Sequence, residues 1–243
     1  MEVLIVGAGA MGRWFGESVD ATPVFTDIDA DAAASAADAI DGRVAAPDET
    51  YEVVCIAVPM SAAETAIAEY ADRATEAIVD VTGAMAGPVA AMDAHAPDLE
   101  RVSFHPLFAP ENAPGNVAVV ADSPGPATDT LRGSLAVAGN DLFETTSEEH
   151  DRAMDDVQSG AHAAVLAYAL ATEDVPERFQ TPISGGLEAL VEQMTGNNPD
   201  VYTEIQSTFD GAEDVAAAAA RIADADDEEF RRLYREAGRT DDE

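Results

Sequence analysis

The hydrophobic and polar positions follow two different patterns along the chain, and the change falls near residue 146. In the first part, short apolar runs of β-type composition alternate with alanine-rich segments of helical spacing. Strands are predicted at 2–8, 23–27, 42–46, 51–59, 76–82, 101–105, 116–121 and 141–146, and helices at 11–20, 61–74, 87–96 and 126–139. Such alternation predicts an α/β fold with a parallel, doubly wound sheet of the Rossmann type. Apolar runs without alternation, such as VVCIAV, are typical of strands buried on both faces.

After residue 146 the pattern predicts helices only. A long helix is expected over 147–171, starting at a serine with a glutamate two residues later, and further helices over 181–196, 200–225 and 227–238. The last residues, 239–243, are expected to be frayed. We therefore predict an α/β domain over 1–146 and an all-helical domain over 147–243.

The charge balance restricts the partners. The chain has 48 acidic and 12 basic residues, a net charge of −36, and each of its bases is an arginine. This surface would repel nucleic acids and anionic membranes, so neither is an expected partner. The acids are spread along the whole chain, and molar salt would screen their mutual repulsion. This composition predicts a protein of a salt-rich cytoplasm, of haloarchaeal type.

The remaining composition limits targeting and metal chemistry. No signal peptide and no long apolar run is present, which predicts a cytoplasmic protein. Cys55 is the only cysteine, so an internal disulfide and a multi-cysteine metal site are excluded. Its apolar surroundings predict a buried structural residue, and we expect no metal site.

A glycine-rich turn follows the first predicted strand. Gly7, Gly9 and Gly12 form G-x-G-x-x-G in VGAGAMG, between a strand and a helix. This context predicts a dinucleotide site in which the diphosphate contacts the start of the helix. The expected contacts come from the three glycines and from Ala10, Met11 and Arg13, whose guanidinium would add a positive charge.

Asp27 ends the second predicted strand, twenty residues after Gly7. An acid at this position accepts the ribose hydroxyls and repels a 2′-phosphate, so NAD is favoured over NADP. Asp29 is an alternative for the same role. Ligands of an open parallel sheet lie beyond the carboxyl ends of its strands, which makes Val58, Pro59 and Thr82 further candidates for the cofactor site.

His105 is the candidate catalytic base. It lies in SFHPLFAPEN, residues 103–112, where prolines 106 and 110 predict a rigid loop that is neither helix nor inner strand. Imidazole titrates near neutral pH, and a fixed position lowers the cost of orienting it.

Several segments together resemble the prephenate and arogenate dehydrogenase family. They are DVTGAMAGP (80–88), FHPLFAPEN (104–112), EEHDRAMDDVQSGAH (148–162) and NNPDVYTEIQ (197–206). The resemblance implies a Rossmann domain, a helical domain that forms a homodimer, and an active site that uses NAD or NADP. It also implies oxidative decarboxylation of prephenate or arogenate, with His105 taking the proton of the ring hydroxyl as hydride leaves.

The resemblance further implies that His150, His162 and Gln193 bind the substrate. Twelve residues separate the two histidines, so on a straight α-helix they would lie about 120° apart. His162 would therefore face the ligand, whereas His150 would brace the helix start with Asp151. His95 carries no motif and is expected at the surface.

The sequence departs from the family pattern at three positions. Gly83-Ala84-Met85 stands where Ser-Val-Lys is usual, so the serine that supports the catalytic histidine is missing. Gln193 replaces the arginine that binds a substrate carboxylate, and Gly185 replaces a second arginine. Three explanations for the missing arginines remain open. Another arginine such as Arg178 binds the carboxylate, potassium screens its charge, or the substrate is a different one.

Two other functions are compatible with these patterns. One is a different two-domain reductase of the β-hydroxyacid or pyrroline-carboxylate type, although the lack of lysine argues against the first of these. The other is a non-catalytic NAD-binding regulatory protein.

Overall fold

A computed structural model describes residues 1–173 and 175–238. The chain divides into two compact units, Met1–Arg152 and Ala153–Glu243. This division lies six residues beyond the predicted boundary at 146/147, so that His150 and Asp151 belong to the first unit. The predicted frayed segment 239–243 lies outside the described residues.

The first unit is built on an eight-stranded sheet in the order β3-β2-β1-β4-β5-β6-β7-β8. Its strands are β1 (Glu2–Val6), β2 (Thr22–Thr26), β3 (Arg43–Val44), β4 (Tyr51–Ile56), β5 (Ala74–Asp80), β6 (Glu100–Pro106), β7 (Asn116–Ser123) and β8 (Asp141–Glu144). The predicted Rossmann-type α/β fold is confirmed.

One strand departs from the predicted all-parallel arrangement. All neighbouring pairs are parallel except β6 and β7, which run antiparallel with His105 opposite Ala118. The reason is the length of the connection, since residues 107–115 are too few for the crossover that parallel neighbours require. The chain therefore turns back after β6, and β7 begins at the same edge of the sheet at which β6 ends.

Helices cover both faces of the sheet and enclose two apolar cores. They are α1 (Ala10–Ser18), α2 (Ala30–Ala39), α3 (Met60–Tyr70), α4 (Ala86–His95) and α5 (Pro126–Val137). Helix α2 was not predicted, because its run of small residues lacks large apolar side chains. Asp29 begins this helix by accepting hydrogen bonds from the amides of Asp31 and Ala32. Cys55 is fully buried in the core, as predicted.

The second unit is helical throughout its described residues. Helix α6 (Ser147–Met154) joins the two units, and α7 (Ala161–Ala171), α8 (Pro182–Thr195), α9 (Pro199–Thr208), α10 (Gly211–Asp224) and α11 (Asp227–Ala237) follow. The single helix predicted over 200–225 is two helices, because Phe209 has extended backbone angles and ends α9.

The predicted continuous helix over 147–171 contains a π-helical segment, Asp155–Gly160. The estimate of 120° between His150 and His162 was therefore based on a wrong premise, since a π turn changes the rotation per residue. Gly211 packs closely against this segment, because a Cβ on Gly211 would lie 1.7 Å from the Asp155 carbonyl oxygen and 2.7 Å from the Gly160 nitrogen. The described residues include no helix long and apolar enough to cross a membrane.

Candidate active site

The glycine turn after β1 has the geometry of a diphosphate-binding turn. Gly7 has a φ of +106°, and a Cβ at this position would lie 2.2 Å from the Ala57 carbonyl oxygen. A Cβ on Gly12 would lie 2.0 Å from the carbonyl oxygen of Gly7, whereas nothing lies within 4 Å of one on Gly9. The chain therefore needs Gly7 and Gly12 for its own folding and leaves open space only at Gly9.

The start of α1 faces this open space with free backbone donors. Ala10 and Gly9 are exposed, Met11 and Arg13 are half-buried, and the first turn of α1 contains no acid. The first amides of a helix have no partner within it and attract anions. In the part of the chain that the structure describes, the Arg13 guanidinium makes no ion pair. The turn therefore fits the diphosphate of a dinucleotide.

Asp27 lies directly against the glycine turn. Its Oδ2 accepts a hydrogen bond of 2.7 Å from the Ala8 amide, and its Oδ1 accepts one of 2.9 Å from the Asp29 amide. The Asp29 carboxylate instead caps α2, as described above, so Asp27 is the better candidate for the ribose.

The other predicted cofactor residues differ in accessibility. Val58 and Pro59 follow β4 at the carboxyl edge, and Val58 Cγ1 would lie 3.2 Å from a Cβ on Gly7. Thr82, in contrast, is only 3% exposed, and its hydroxyl lies 2.6 Å from Asp80 Oδ1 and 3.0 Å from the Ala84 carbonyl oxygen. Thr82 is thus buried below the carboxyl edge of the sheet, where it holds Asp80 and the Ala84 carbonyl, whereas Val58 and Pro59 lie at the edge itself.

His105 lies near the end of β6, on the same edge as the glycine turn. It is inside an inner strand, which confirms the strand predicted at 101–105, whereas the expectation of a loop beginning at residue 103 was wrong. Pro106 is the last residue of β6, where its missing donor is tolerated at the strand end. Three inter-strand spacings separate β1 from β6, about 14 Å at the usual strand separation.

The loop after His105 packs on the dinucleotide helix. The Phe108 ring meets the Trp14 ring of α1 edge-to-face, with centroids 5.3 Å apart. This contact ties the loop after β6 to the helix that follows the glycine turn.

A chain of three side chains extends from His105. His105 Nδ1 lies 2.7 Å from His150 Nε2, and His150 Nδ1 lies 2.8 Å from Asp151 Oδ1. The Asp151 carboxylate also accepts hydrogen bonds of 3.0 Å from the amides of Met85 and Ala86. Both ring nitrogens of His150 are therefore occupied, so its predicted role in binding substrate does not fit its position.

The pKa values of His105 and Asp151 are both lowered, but by different causes. Burial, together with the neighbouring His150, holds the pKa of His105 well below its ordinary value, although Asp151 acts against this shift. Burial also disfavours the ionised form of Asp151, but the hydrogen bonds from His150, Met85 and Ala86 outweigh it and lower the pKa. At neutral pH, His105 is therefore a neutral imidazole and Asp151 is a carboxylate.

Asp80 is a buried carboxylate that was not predicted as a site residue. It ends β5 opposite Ser103, with no exposed surface, and its Oδ2 has no hydrogen bond of ordinary geometry. Burial raises its pKa to about 6, although two hydrogen bonds from Thr82 and the nearby hydroxyl of Ser103 act against the shift. The signal available in the sequence was an acid directly after the apolar run AIV.

We expect Asp80→Asn to remove part of the pH dependence of stability. A raised folded-state pKa means that stability falls as the pH rises from about 4 to about 6. The carboxylate then costs on the order of 3 kcal/mol at pH 7. In urea unfolding at constant KCl concentration, the variant should gain on the order of 2 to 3 kcal/mol over wild type between pH 4 and pH 7. An equal difference at both pH values would contradict this reading of Asp80.

The remaining predicted substrate residues lie in the helical unit. The His162 ring meets the Tyr202 ring edge-to-face at 4.9 Å, and its buried Nδ1 has no hydrogen-bond partner. Tyr202 Oη accepts a hydrogen bond from Asn197 Nδ2, which also donates to the carbonyl oxygen of Gln193. His162, Tyr202, Asn197 and the backbone of Gln193 therefore form one cluster, and the Gln193 side chain is exposed. Burial lowers the pKa of His162.

Four arginines among the described residues of the helical unit have partners outside this cluster. Arg221, Arg231 and Arg232 form ion pairs with acids of α11, and Arg178 stacks on Phe179 at 4.9 Å. His95 is exposed, as expected. Among residues 1–173 and 175–238, no three His, Cys, Asp or Glu side chains are grouped as metal ligands.

The sheet order, the glycine turn and the acid after β2 define the class of a dinucleotide-dependent oxidoreductase. No protein-family model matches the chain. The chain is 27% identical to 4-amino-4-deoxyprephenate dehydrogenase of Streptomyces pristinaespiralis, over 96% of this chain and 88% of that protein. It is 26% identical to a probable arogenate/prephenate dehydrogenase of Methanocaldococcus jannaschii, over 64% of this chain and 38% of that protein.

A solved structure shares the fold at low sequence identity. It is prephenate dehydrogenase from A. aeolicus in complex with hydroxyphenyl propionate and NAD+, with a TM-score of 0.71 and 17% identity over 98% of this chain and 93% of that chain. The solved structure shows the shared fold, and the similarity to the two dehydrogenases supports an NAD-dependent oxidoreductase.

Proposed function

We propose that the protein oxidises a cyclohexadiene of the prephenate class with NAD, releasing carbon dioxide and leaving an aromatic product. The observation that carries the proposal is His105, a neutral buried imidazole at the sheet edge that holds the glycine turn. The similarity to two relatives named for such substrates supports it.

In this proposal the residues of the glycine turn bind the diphosphate and Asp27 binds the ribose. NAD, when bound, accepts hydride from the ring carbon that bears the hydroxyl. His105 Nε2 accepts the hydroxyl proton, and its low pKa keeps the nitrogen free at neutral pH. His162 is proposed to contact the substrate, and Gln193 is proposed to donate a hydrogen bond to a substrate carboxylate.

The test is a set of assays with purified protein in molar KCl. Prephenate and arogenate are each offered with NAD and with NADP, and formation of reduced cofactor is followed. We expect turnover of one of them with NAD. Binding of NAD without consumption of any cyclohexadiene would favour the regulatory alternative.

A second candidate substrate is 4-amino-4-deoxyprephenate. The curated relative that matches 96% of this chain is named for it. In this substrate an amino group replaces the ring hydroxyl, and the neutral imidazole of His105 accepts a hydrogen bond from either group. The same assays with this compound decide between the two, because turnover of the amine alone would exclude the hydroxyl substrates.

We propose that Asp27 gives a preference for NAD over NADP. Asp27→Asn keeps a carbonyl oxygen for the Ala8 amide and removes the charge. Repulsion between two charges near a protein surface costs on the order of 1 to 4 kcal/mol, so the ratio of kcat/KM for NAD to that for NADP should fall at least about fivefold. Asp29→Asn is the control, and an unchanged ratio in Asp27→Asn would contradict the assignment.

We propose that the helical unit forms a homodimer. Helix α7, AHAAVLAYALA, is apolar on all sides, yet none of its residues is buried within the single chain. A helix of this kind is stable only when another surface covers it. Leu170 of α7 and Ile183 of α8 are 87% and 79% exposed.

Light scattering in molar KCl tests the homodimer. We expect a dimer that Leu170→Glu converts to monomer. Val137→Glu is the matched control, because Val137 is 90% exposed but lies in the sheet unit. A monomeric wild-type protein would overturn this proposal.

We also propose that the protein works in a salt-rich cytoplasm, in a haloarchaeal type of cell. The net charge of −36 supports this proposal. Unfolding in KCl solutions of increasing concentration tests it, since stability should rise with salt.

A further inference from the structure

The support of His105 in this chain differs from the support that the family pattern implies. The usual serine is replaced by Gly83, which has no side chain to hold an imidazole. His105 instead contacts His150, and His150 contacts Asp151, over 2.7 and 2.8 Å.

We infer that His150 and Asp151 are positioning residues that fix the tautomer of His105 and keep its Nε2 free to accept a proton. The inference rests on the proposed function only for the identity of the proton donor. The tautomer itself follows from the hydrogen bonds.

The direction of each hydrogen bond follows from that of the one before it, starting at Asp151. The Asp151 carboxylate accepts the amides of Met85 and Ala86 and has no proton to donate. His150 must therefore donate its Nδ1–H to Asp151, which leaves Nε2 of the neutral ring as an acceptor. His105 then donates its Nδ1–H to His150, and the lone pair of His105 lies on Nε2.

Burial keeps water away from the hydrogen bonds between His105, His150 and Asp151. His105 and His150 are 6% and 3% exposed, so water cannot replace either contact. In this arrangement His150 Nε2 accepts from His105 Nδ1, and His105 Nε2 is left free to accept a proton.

The proton moves from the substrate to His105 Nε2 and remains on His105 as the imidazolium forms. The Nδ1–H of that imidazolium points to His150, whose far side meets the Asp151 carboxylate. The carboxylate lowers the energy of the positive charge without accepting a proton itself.

The backbone explains how the chain functions without the serine. Met85 and Ala86 lie at the start of α4, where free amides and the helix dipole favour a carboxylate. The backbone amides of Met85 and Ala86 therefore support His105 through the Asp151–His150 pair.

The experiment compares Asp151→Asn with wild type. Asparagine removes the negative charge beside His150, and in either orientation its NH2 faces at least one backbone donor, so at least one hydrogen bond of Asp151 is lost. We expect kcat to fall on the order of 10- to 1000-fold, with an unchanged KM for NAD. Arg152→Gln is the control, because Arg152 is the exposed neighbour on the same helix.

Nitrogen-15 NMR of the imidazoles gives a readout that needs no substrate. We expect the His105 signals of the wild-type protein, assigned with His105→Asn, to show Nδ1 protonated and Nε2 unprotonated at pH 7. In Asp151→Asn this pattern should change. A wild-type His105 protonated on Nε2, or an Asp151→Asn variant with wild-type kcat and signals, would overturn the inference. The expected signals in a protein that turns over no cyclohexadiene would instead refute the proposed function alone.

Discussion

His105→Asn is expected to lower kcat by roughly 10²- to 10⁴-fold, the usual contribution of a positioned general base. Asparagine has a similar size and can still meet His150, but its amide cannot accept a proton at neutral pH. The KM for NAD should change little, because the glycine turn lies three strands away from His105. Steady-state kinetics in molar KCl, with the substrate that the wild-type protein turns over, measures the effect.

His95→Asn is the matched control for this prediction. The same substitution is made at an exposed histidine in the last turn of α4, and it should leave kcat and thermal stability unchanged. Wild-type turnover in His105→Asn would exclude His105 as the base. The pH profile adds a second readout, because the low pKa of His105 predicts that kcat/KM stays constant well below pH 6.5.

Substitutions at the three glycines of the turn should have different effects, on folding at Gly7 and Gly12 and on cofactor binding at Gly9. Gly12→Ala places a methyl group 2.0 Å from the Gly7 carbonyl oxygen, so the helix or the strand must move. We expect a loss of about 3 kcal/mol or more in the free energy of unfolding. Gly7→Ala should be at least as severe, since a positive φ is added to a contact of 2.2 Å.

Gly9→Ala provides the contrast. Nothing lies within 4 Å of its added Cβ, so the fold should keep wild-type stability. The methyl group would fill the space where the diphosphate approaches, and NAD affinity should fall at least about tenfold, a change of 1.4 kcal/mol. Calorimetric titration with NAD and thermal unfolding measure the two effects. Tight NAD binding by Gly9→Ala would show that the cofactor lies elsewhere.

Patterns within a few residues predicted most of the sheet. Strands β1 and β4 are apolar runs buried on both faces, and a parallel central strand requires this composition. The antiparallel β7 was missed although its short connection was visible, because the alternation of strands and helices was extended over the whole domain. Helix α2 was missed because its alanines carry almost no hydrophobic contrast.

The candidate site was predictable only in part. The glycine turn and Asp27 follow from spacing, because their geometry depends on local chain. The partners of His105 could not be predicted from spacing, because His150 lies 45 residues away and its contact depends on the packing of α6 against the end of β6. Asp80 was hidden for a similar reason, since the burial that raises its pKa comes from the neighbouring strands.

The antiparallel pair of β6 and β7 has a consequence for how such a protein can diversify. A parallel crossover starts at one edge of the sheet and must end at the opposite edge, so its length is constrained. The hairpin at 107–115 leaves and re-enters the sheet at a single edge, beside His105. Doubling the length of a flexible loop costs only about 0.6 kcal/mol, and insertions here leave the strand order intact. This hairpin is therefore the segment in which mutation can reshape the surroundings of His105 at little cost to folding, and length-randomised libraries are best made there.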